Sequence, residues 1–225
     1  MASYKGHLML AAPLGAAYGA AALLQPRFDW GVPMLGASLC TVGGLLPDLD
    51  SDSGVAVREL FGLASALTAV LLLQPVREMG FSLDQTLALL IGSYLAMRYV
   101  VSGLFCRMTV HRGMFHSIPA TLIAGLAVYL AYPGHDLFLK LYLGGAVMVG
   151  YLSHLVLDEL YSIDFNGVRL KFNQFAGTAL KFGSPSWQAT LCTYAILICL
   201  GYVAWNHGLP DFGKLAASWR TALAK

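Results

Sequence analysis

Seven ionisable side chains sit in or beside apolar stretches, in four groups that could hold a metal ion. They are His7; Asp48 and Asp50 in Gly43-Gly-Leu-Leu-Pro-Asp-Leu-Asp-Ser51; His111 and His116 in His111-Arg-Gly-Met-Phe-His-Ser117; and His154 with Asp158 in His154-Leu-Val-Leu-Asp158. An Asp placed mid-helix in a bilayer costs roughly 2.5 to 3.5 kcal/mol even on a lenient insertion scale, so some interaction must offset it. Imidazole nitrogens and carboxylate oxygens with no thiolate suit Zn, Mn or Fe.

Local spacing supports chelation. His154 and Asp158 are four apart, so on a helix they share one face about 6 Å apart at Cβ. Asp48 and Asp50 follow Pro47, which favours ending a helix before them, and in extended chain a spacing of two puts both carboxylates on one side. His111 and His116 bracket Arg112-Gly113 at a loop-to-helix entry. Four His and three Asp are too many for one tetrahedral ion and suit two divalent ions sharing a bridging carboxylate. Two such ions turn three negative charges into a net positive pocket, which attracts anions. Arg112, with Lys171 or Arg169, adds donors suited to phosphate oxygens.

The chain that must position these residues has 225 residues, of which 57% are hydrophobic and 12% charged, against roughly 25% charged in an ordinary soluble domain. Such a composition excludes a soluble globular protein and a disordered chain. With 14 Lys and Arg facing 12 Asp and Glu, there is no basic excess for nucleic acid. Cys40, Cys106, Cys192 and Cys199 lie apart in apolar stretches and suggest neither a disulfide framework nor a thiolate metal site.

Seven apolar segments are read as membrane spans, some short: Gly6 to Pro26, Trp30 to Pro47, Leu60 to Pro75, Gln85 to Cys106 with Arg98 inside it, Gly113 to Gly134, Leu141 to Leu157, and Phe182 to Pro210. The fold class expected is therefore all-α, a polytopic helix bundle forming one integral-membrane domain over residues 1–225. A cleaved signal peptide is the competing reading of the first segment, but the six later ones already commit the chain to the bilayer. Threading the spans brings all four groups to one membrane face. The short loops on that face hold Lys5, Arg58, Arg107, Arg112, Arg169, Lys171 and Lys181, whereas Arg27, Arg77 and Lys140 lie opposite; the excess points the site to the cytoplasm, against the C-terminal Lys214, Arg220 and Lys225.

The polar stretch of residues 159–186 contains two alternating runs around Asn166-Gly167, the dipeptide that best tolerates a type I′ turn. A surface hairpin is expected, pairing Phe165 with Val168, Asp164 with Arg169 and Ile163 with Leu170, with an opposite-charge cross-strand pair on one face.

Taken in order, the N-terminal His, the P-D-x-D-S turn, H-R-G-x-x-H-S, H-x-x-x-D and D-E-L-Y-S-x-D together resemble the YdjM-like family of predicted membrane-bound metal-dependent hydrolases, from about His7 to Trp187. The resemblance implies a polytopic bacterial inner-membrane protein with a hydrolytic metal site likened to zinc phospholipases C. It carries over to His7, Asp48, Asp50, His111, His116, His154 and Asp158.

The expected function is thus metal-dependent hydrolysis of a phosphoester in a membrane lipid, either a phospholipid or an isoprenoid phosphate. Arg112 and Lys171 are the expected phosphate-holding residues, the hairpin a lid or head-group collar, and Asp52 or Glu159 the nearest candidates for general base. Each group also has a plainer reading: His7 as an interfacial residue, the Pro47 turn with a capping Asp, Arg112 of the His111–His116 segment as an anchor for a cytoplasmic loop, and His154 with Asp158 as a buried hydrogen-bonded pair. Arg98 is either a counter-ion for the site or a snorkelling residue, and His135 and His207 are taken as uninvolved. The rival functions are a divalent-cation transporter or channel, whose site belongs near the midplane with access from both faces, and a non-catalytic membrane protein with a structural metal.

Overall fold

A computed structural model of the chain describes residues 3–50, 55–108, 114–132, 134, 136–165, 170–172, 180–184 and 186–206. The helices are α1 (Tyr4–Leu23), α2 (Gly31–Gly43), a 3-10 turn (Leu46–Asp50), α3 (Val55–Glu78), α4 (Leu83–Leu95), a π-helical turn (Ala96–Val101), α5 (Ser102–Met108), α6 (Ile118–Ala131), α7 (Leu137–Leu160) and α8 (Trp187–Asn206). The π turn joins α4 and α5 into one rod, so the described chain forms the all-α bundle expected.

Among the described residues, five segments are long and apolar enough to cross a membrane: α1, Val57–Glu78 of α3, the rod Leu83–Arg107, α7 and α8. The other two, α2 and α6, are shorter. The 13 residues of α2 rise only about 20 Å, some 10 Å less than a hydrocarbon core of about 30 Å. The turn after α2 and the loop before α6 therefore fall at membrane depth, where irregular backbone is tolerated only when protein covers it. Those two segments carry Asp48 and His116.

Packing is inverted relative to a soluble protein. The buried stripe of α1 is His7, Ala11, Gly15, Gly19 and Ala22, whereas large apolar side chains such as Met9, Leu67 and Ile198 face outward. In lipid there is no hydrophobic force between helices, so small residues that let backbones approach closely hold the bundle together. At Gly19 an added Cβ would come within 2.6 Å of the Pro33 carbonyl oxygen. A Cβ at Gly150 of α7 would overlap the Cys40 carbonyl oxygen and lie 2.8 Å from the Gly44 nitrogen. Helices α1, α2 and α7 thus form a close-packed core; α6 packs on α7, and α8 on α6.

The α3–α4 hairpin packs on itself and on the 3-10 turn. Its corner is shaped by Gly80, at φ +78°, and by a reciprocal cap in which Ser82 and Gln85 satisfy each other's backbone N–H. Arg98, in the π turn, donates from Nη1 to the Arg58 carbonyl of α3, so it ties the two arms of the hairpin together, a role neither sequence reading anticipated. The four cysteines are free.

Two expectations change. Strands β1 (Ile163–Phe165) and β2 (Leu170–Phe172) pair antiparallel as Ile163 with Phe172, Asp164 with Lys171 and Phe165 with Leu170, two residues away from the register expected. An even shift keeps apolar opposite apolar and acid opposite base, so alternation alone could not distinguish the two registers. The connection 166–169, including Arg169, lies outside the described residues. The second correction is at Pro47, which does not start extended chain. Helix α2 ends earlier, at Gly43, and residues 46–50 form a 3-10 turn with three residues per turn. The extended-chain argument for placing Asp50 beside Asp48 does not hold in this backbone.

Candidate metal centre

The packing stripes aim the ligands inward. Along α7 the buried face runs Val147, Gly150, Tyr151, His154, Asp158, so the contacts that seat α7 against α2 also direct His154 and Asp158 into the bundle. His7 extends the small-residue stripe of α1 by one turn. His116 immediately precedes the α6 N-cap, Ser117, whose hydroxyl accepts from Ala120 N at 3.3 Å. Its loop is fixed from both sides: Ile118 N donates to the Lys181 carbonyl at 3.0 Å, and Tyr151 Oη donates to the Phe115 carbonyl at 2.5 Å. Asp48 is supplied by the 3-10 turn.

These five side chains meet in one buried cluster, and Asp48 is its most exposed member at 9%. His7 Nε2 is 3.3 Å from Asp158 Oδ1, while His116 Nε2 and His154 Nε2 lie 3.7 and 4.0 Å from Asp158 Oδ2. Asp48 Oδ1 is 3.5 Å from His154 Nε2 and 4.0 Å from His116 Nε2. The rings of His7 and His154 stack at 3.6 Å, and His116 meets His154 edge-on at 5.5 Å.

His154 Nδ1 lies 2.8 Å from the Gly44 carbonyl oxygen. A carbonyl only accepts, so Nδ1 carries the proton and Nε2 keeps its lone pair, the usual arrangement for a metal-ligating imidazole. That Nε2 is buried and, among the described residues, has no hydrogen-bond partner, and neither does His7 Nδ1.

The donor set fits a divalent ion. Two donors each about 2.1 Å from a tetrahedral ion are about 3.4 Å apart, and the imidazole-to-carboxylate separations here run from 3.3 to 4.0 Å. Two carboxylates buried in an apolar bundle also require positive charge nearby. Supplying it by protonating both His7 and His154 would set like charges 3.6 Å apart. His7, His154 and Asp158 form one group able to hold an ion, and Asp48, His116 and His154 another.

Of the expected site residues, the structure therefore brings together His7, Asp48, His116, His154 and Asp158. His111, Arg112, Asp52, His135 and His207 lie outside the described residues, as do the side chains of Asp50 and Lys171. Glu159 follows Asp158 at the end of α7. Sequence reasoning missed Gly44, whose carbonyl orients His154, and Tyr151, which braces the His116 loop. Both carried a signal: the paired glycines before Leu45-Leu-Pro-Asp48 allow close backbone approach, and Tyr151 stands three residues before His154 on the same helical face.

A family model described as YdjM inner membrane protein matches residues 1–208. Comparison with curated proteins finds no match, and comparison with solved structures finds none.

Proposed function

The chain belongs to the YdjM inner membrane protein family, and from that premise and the buried cluster we propose that this integral inner membrane protein is a metal-dependent hydrolase of a phosphoester in a membrane lipid. The observation that carries the reading is the convergence of Asp48, His116 and His154 within one ligand sphere, with Asp48 at its accessible edge. Three protein donors are the number that leaves a position for water in catalytic zinc sites.

Asp48, His116 and His154 hold one ion in this reading. Asp158 would help to hold a second, since its Oδ1 faces His7 and its Oδ2 faces His116 and His154. His154 Nε2 has a single lone pair and serves only one ion, so the second position draws on His7 and Asp158, with Asp50 and His111 as the further proposed ligands. A bound divalent metal, Zn, Mn or Fe, supplies a Lewis acid that acidifies water and offsets phosphoryl charge.

The chain's own residues do the positioning. Gly44 holds the His154 tautomer, Tyr151 anchors the loop that delivers His116, and the turn after the short helix α2 delivers Asp48. Arg112 and Lys171 are proposed to hold phosphate oxygens, and Glu159 or Asp52 to accept the proton from water. The excess of basic residues on this side supports a cytoplasmic site.

One observation favours a second reading, a structural ion. Asp158 Oδ2 lies within 4.0 Å of both His116 and His154, and a fourth protein donor closes a zinc shell. A transporter gains less support: among the described residues both groups able to hold an ion lie in this one cluster, whereas transit needs access from both faces.

The deciding experiment combines elemental analysis with phosphate release from phosphatidic acid and a prenyl phosphate, using purified protein in lipid nanodiscs. The hydrolase reading expects bound metal and turnover, both lost in Asp48→Asn and His154→Ala. Metal retention with no turnover of any lipid phosphoester would leave the structural reading.

A further inference from the structure

Beside the cluster lies a cleft of about 240 Å³ between α6, α8 and the turn that carries Asp48. Its walls are immediate neighbours of the ligands: Leu49 adjoins Asp48, Phe115 adjoins His116, and Tyr151 precedes His154 by about one turn. Among the described residues two hydroxyl-bearing side chains line it, and each donates its proton to a backbone carbonyl, Tyr151 Oη to Phe115 and Thr193 Oγ1 to Ala189. The rest of the lining is Leu, Ile, Ala, Met and Phe. A cleft of this kind offers neither a head group nor a water the polar partners it needs. Ile196, on the α8 wall, is 50% exposed, so the cleft communicates with the outer surface of α8, which in a membrane is lipid.

We propose that this cleft seats the proximal part of one hydrocarbon chain of a membrane lipid whose phosphate end lies at the His/Asp cluster. The identity of the head group rests on the hydrolase reading, whereas the seat for the chain rests on the lining itself. At roughly 30 Å³ per water-sized group, the volume of 240 Å³ takes about eight methylene-sized groups in line, the start of one chain and not a complete diacyl tail. A chain already in the bilayer gains no hydrophobic energy on entering the cleft. The cleft therefore acts by shape, holding the ester at a fixed distance from the cluster. Ala120 and Ala124, one turn apart on α6, make the room, and a larger side chain at either position takes it away.

Photolabelling tests this without relying on turnover. The wild-type protein is placed in phosphatidylcholine vesicles with trace phosphatidic acid carrying a diazirine either about six carbons into one chain, inside the estimated reach of the cleft, or at the chain terminus. Mass spectrometry then maps the adducts. The proximal probe is expected to label Ile123, Thr193 and Ile196 severalfold more than the terminal probe, and Ala124→Leu is expected to reduce that labelling severalfold while adducts at lipid-facing Leu67 and Val70 of α3 persist. Equal labelling by the two probes in wild type overturns the proposal, as does cleft labelling that Ala124→Leu leaves unchanged. Phosphate release without cleft labelling overturns the chain seat alone. Cleft labelling without turnover of any lipid phosphoester supports the seat and overturns the hydrolase reading.

Discussion

His7 and His154 stack face to face, with ring centroids 3.6 Å apart and planes 7° from parallel, although one belongs to the first helix and the other to the seventh. The contact separates two roles that a simple deletion would confuse, a packing surface and a ligand. In His7→Phe an aromatic ring remains to stack on His154, but the nitrogen 3.3 Å from Asp158 is gone. We expect the metal-free variant to have a thermal midpoint in detergent close to that of metal-free wild type, and a metal affinity lower by about tenfold or more, the scale on which loss of a partner near a metal is felt. Isothermal titration with Zn checks it, and unchanged affinity would remove His7 from the ligand set.

Chelation links the site to the fold. Metal that binds only the folded state stabilises it by about 2.7 kcal/mol when free metal is a hundredfold above its dissociation constant. Treatment with a chelator should lower the melting temperature of wild type and leave that of His154→Ala unmoved, as followed by thermal unfolding in detergent. An equal fall in both would mean that the chelator acts elsewhere.

Gly150 sets the distance between α7 and α2. Any Cβ there meets backbone, the Cys40 carbonyl and the Gly44 nitrogen, which cannot swing aside as a side chain can. Gly150→Ala should destabilise the protein by about 1 to 3 kcal/mol, the usual range for overpacking. It should also weaken metal binding, because Gly44 both adjoins Gly150 and orients His154. A variant with wild-type stability and affinity would show that the helices separate freely at this point.

Ser117 caps α6 one residue after His116. Ser117→Ala should cost about 1 kcal/mol, and Ser117→Thr, which keeps a neutral N-cap hydroxyl, should recover most of it. Thermal unfolding of the pair measures the difference; equal losses would show that the cap is not what holds this loop.

Orientation is open to a reporter experiment. Gly80 lies at the far end of the α3–α4 hairpin from the 3-10 turn. Alkaline phosphatase fused after Gly80 should be active and a fluorescent protein fused there dark, if the site faces the cytoplasm. The reverse pattern would turn the site outward.

Much of this was legible in the sequence because the bilayer imposes a strong rule: a stretch without charge long enough to cross must be helical, and an ionisable group within it must have a reason to be there. The helix count, the pairing of His154 with Asp158 four residues on, and the arrival of Asp48 and His116 on the same side all follow from span lengths and parity. Composition and connectivity therefore determined which residues could meet. Distances were another matter, because they depend on contacts between segments far apart in the chain. That Gly150 touches Cys40, that Gly44 fixes the His154 ring, that α2 stops at Gly43 and curls into a 3-10 turn, and that β1 and β2 pair two residues out of the expected register are results of close packing. Several local conformations and registers satisfy the same pattern of apolar and polar residues, and only the assembled helices select among them.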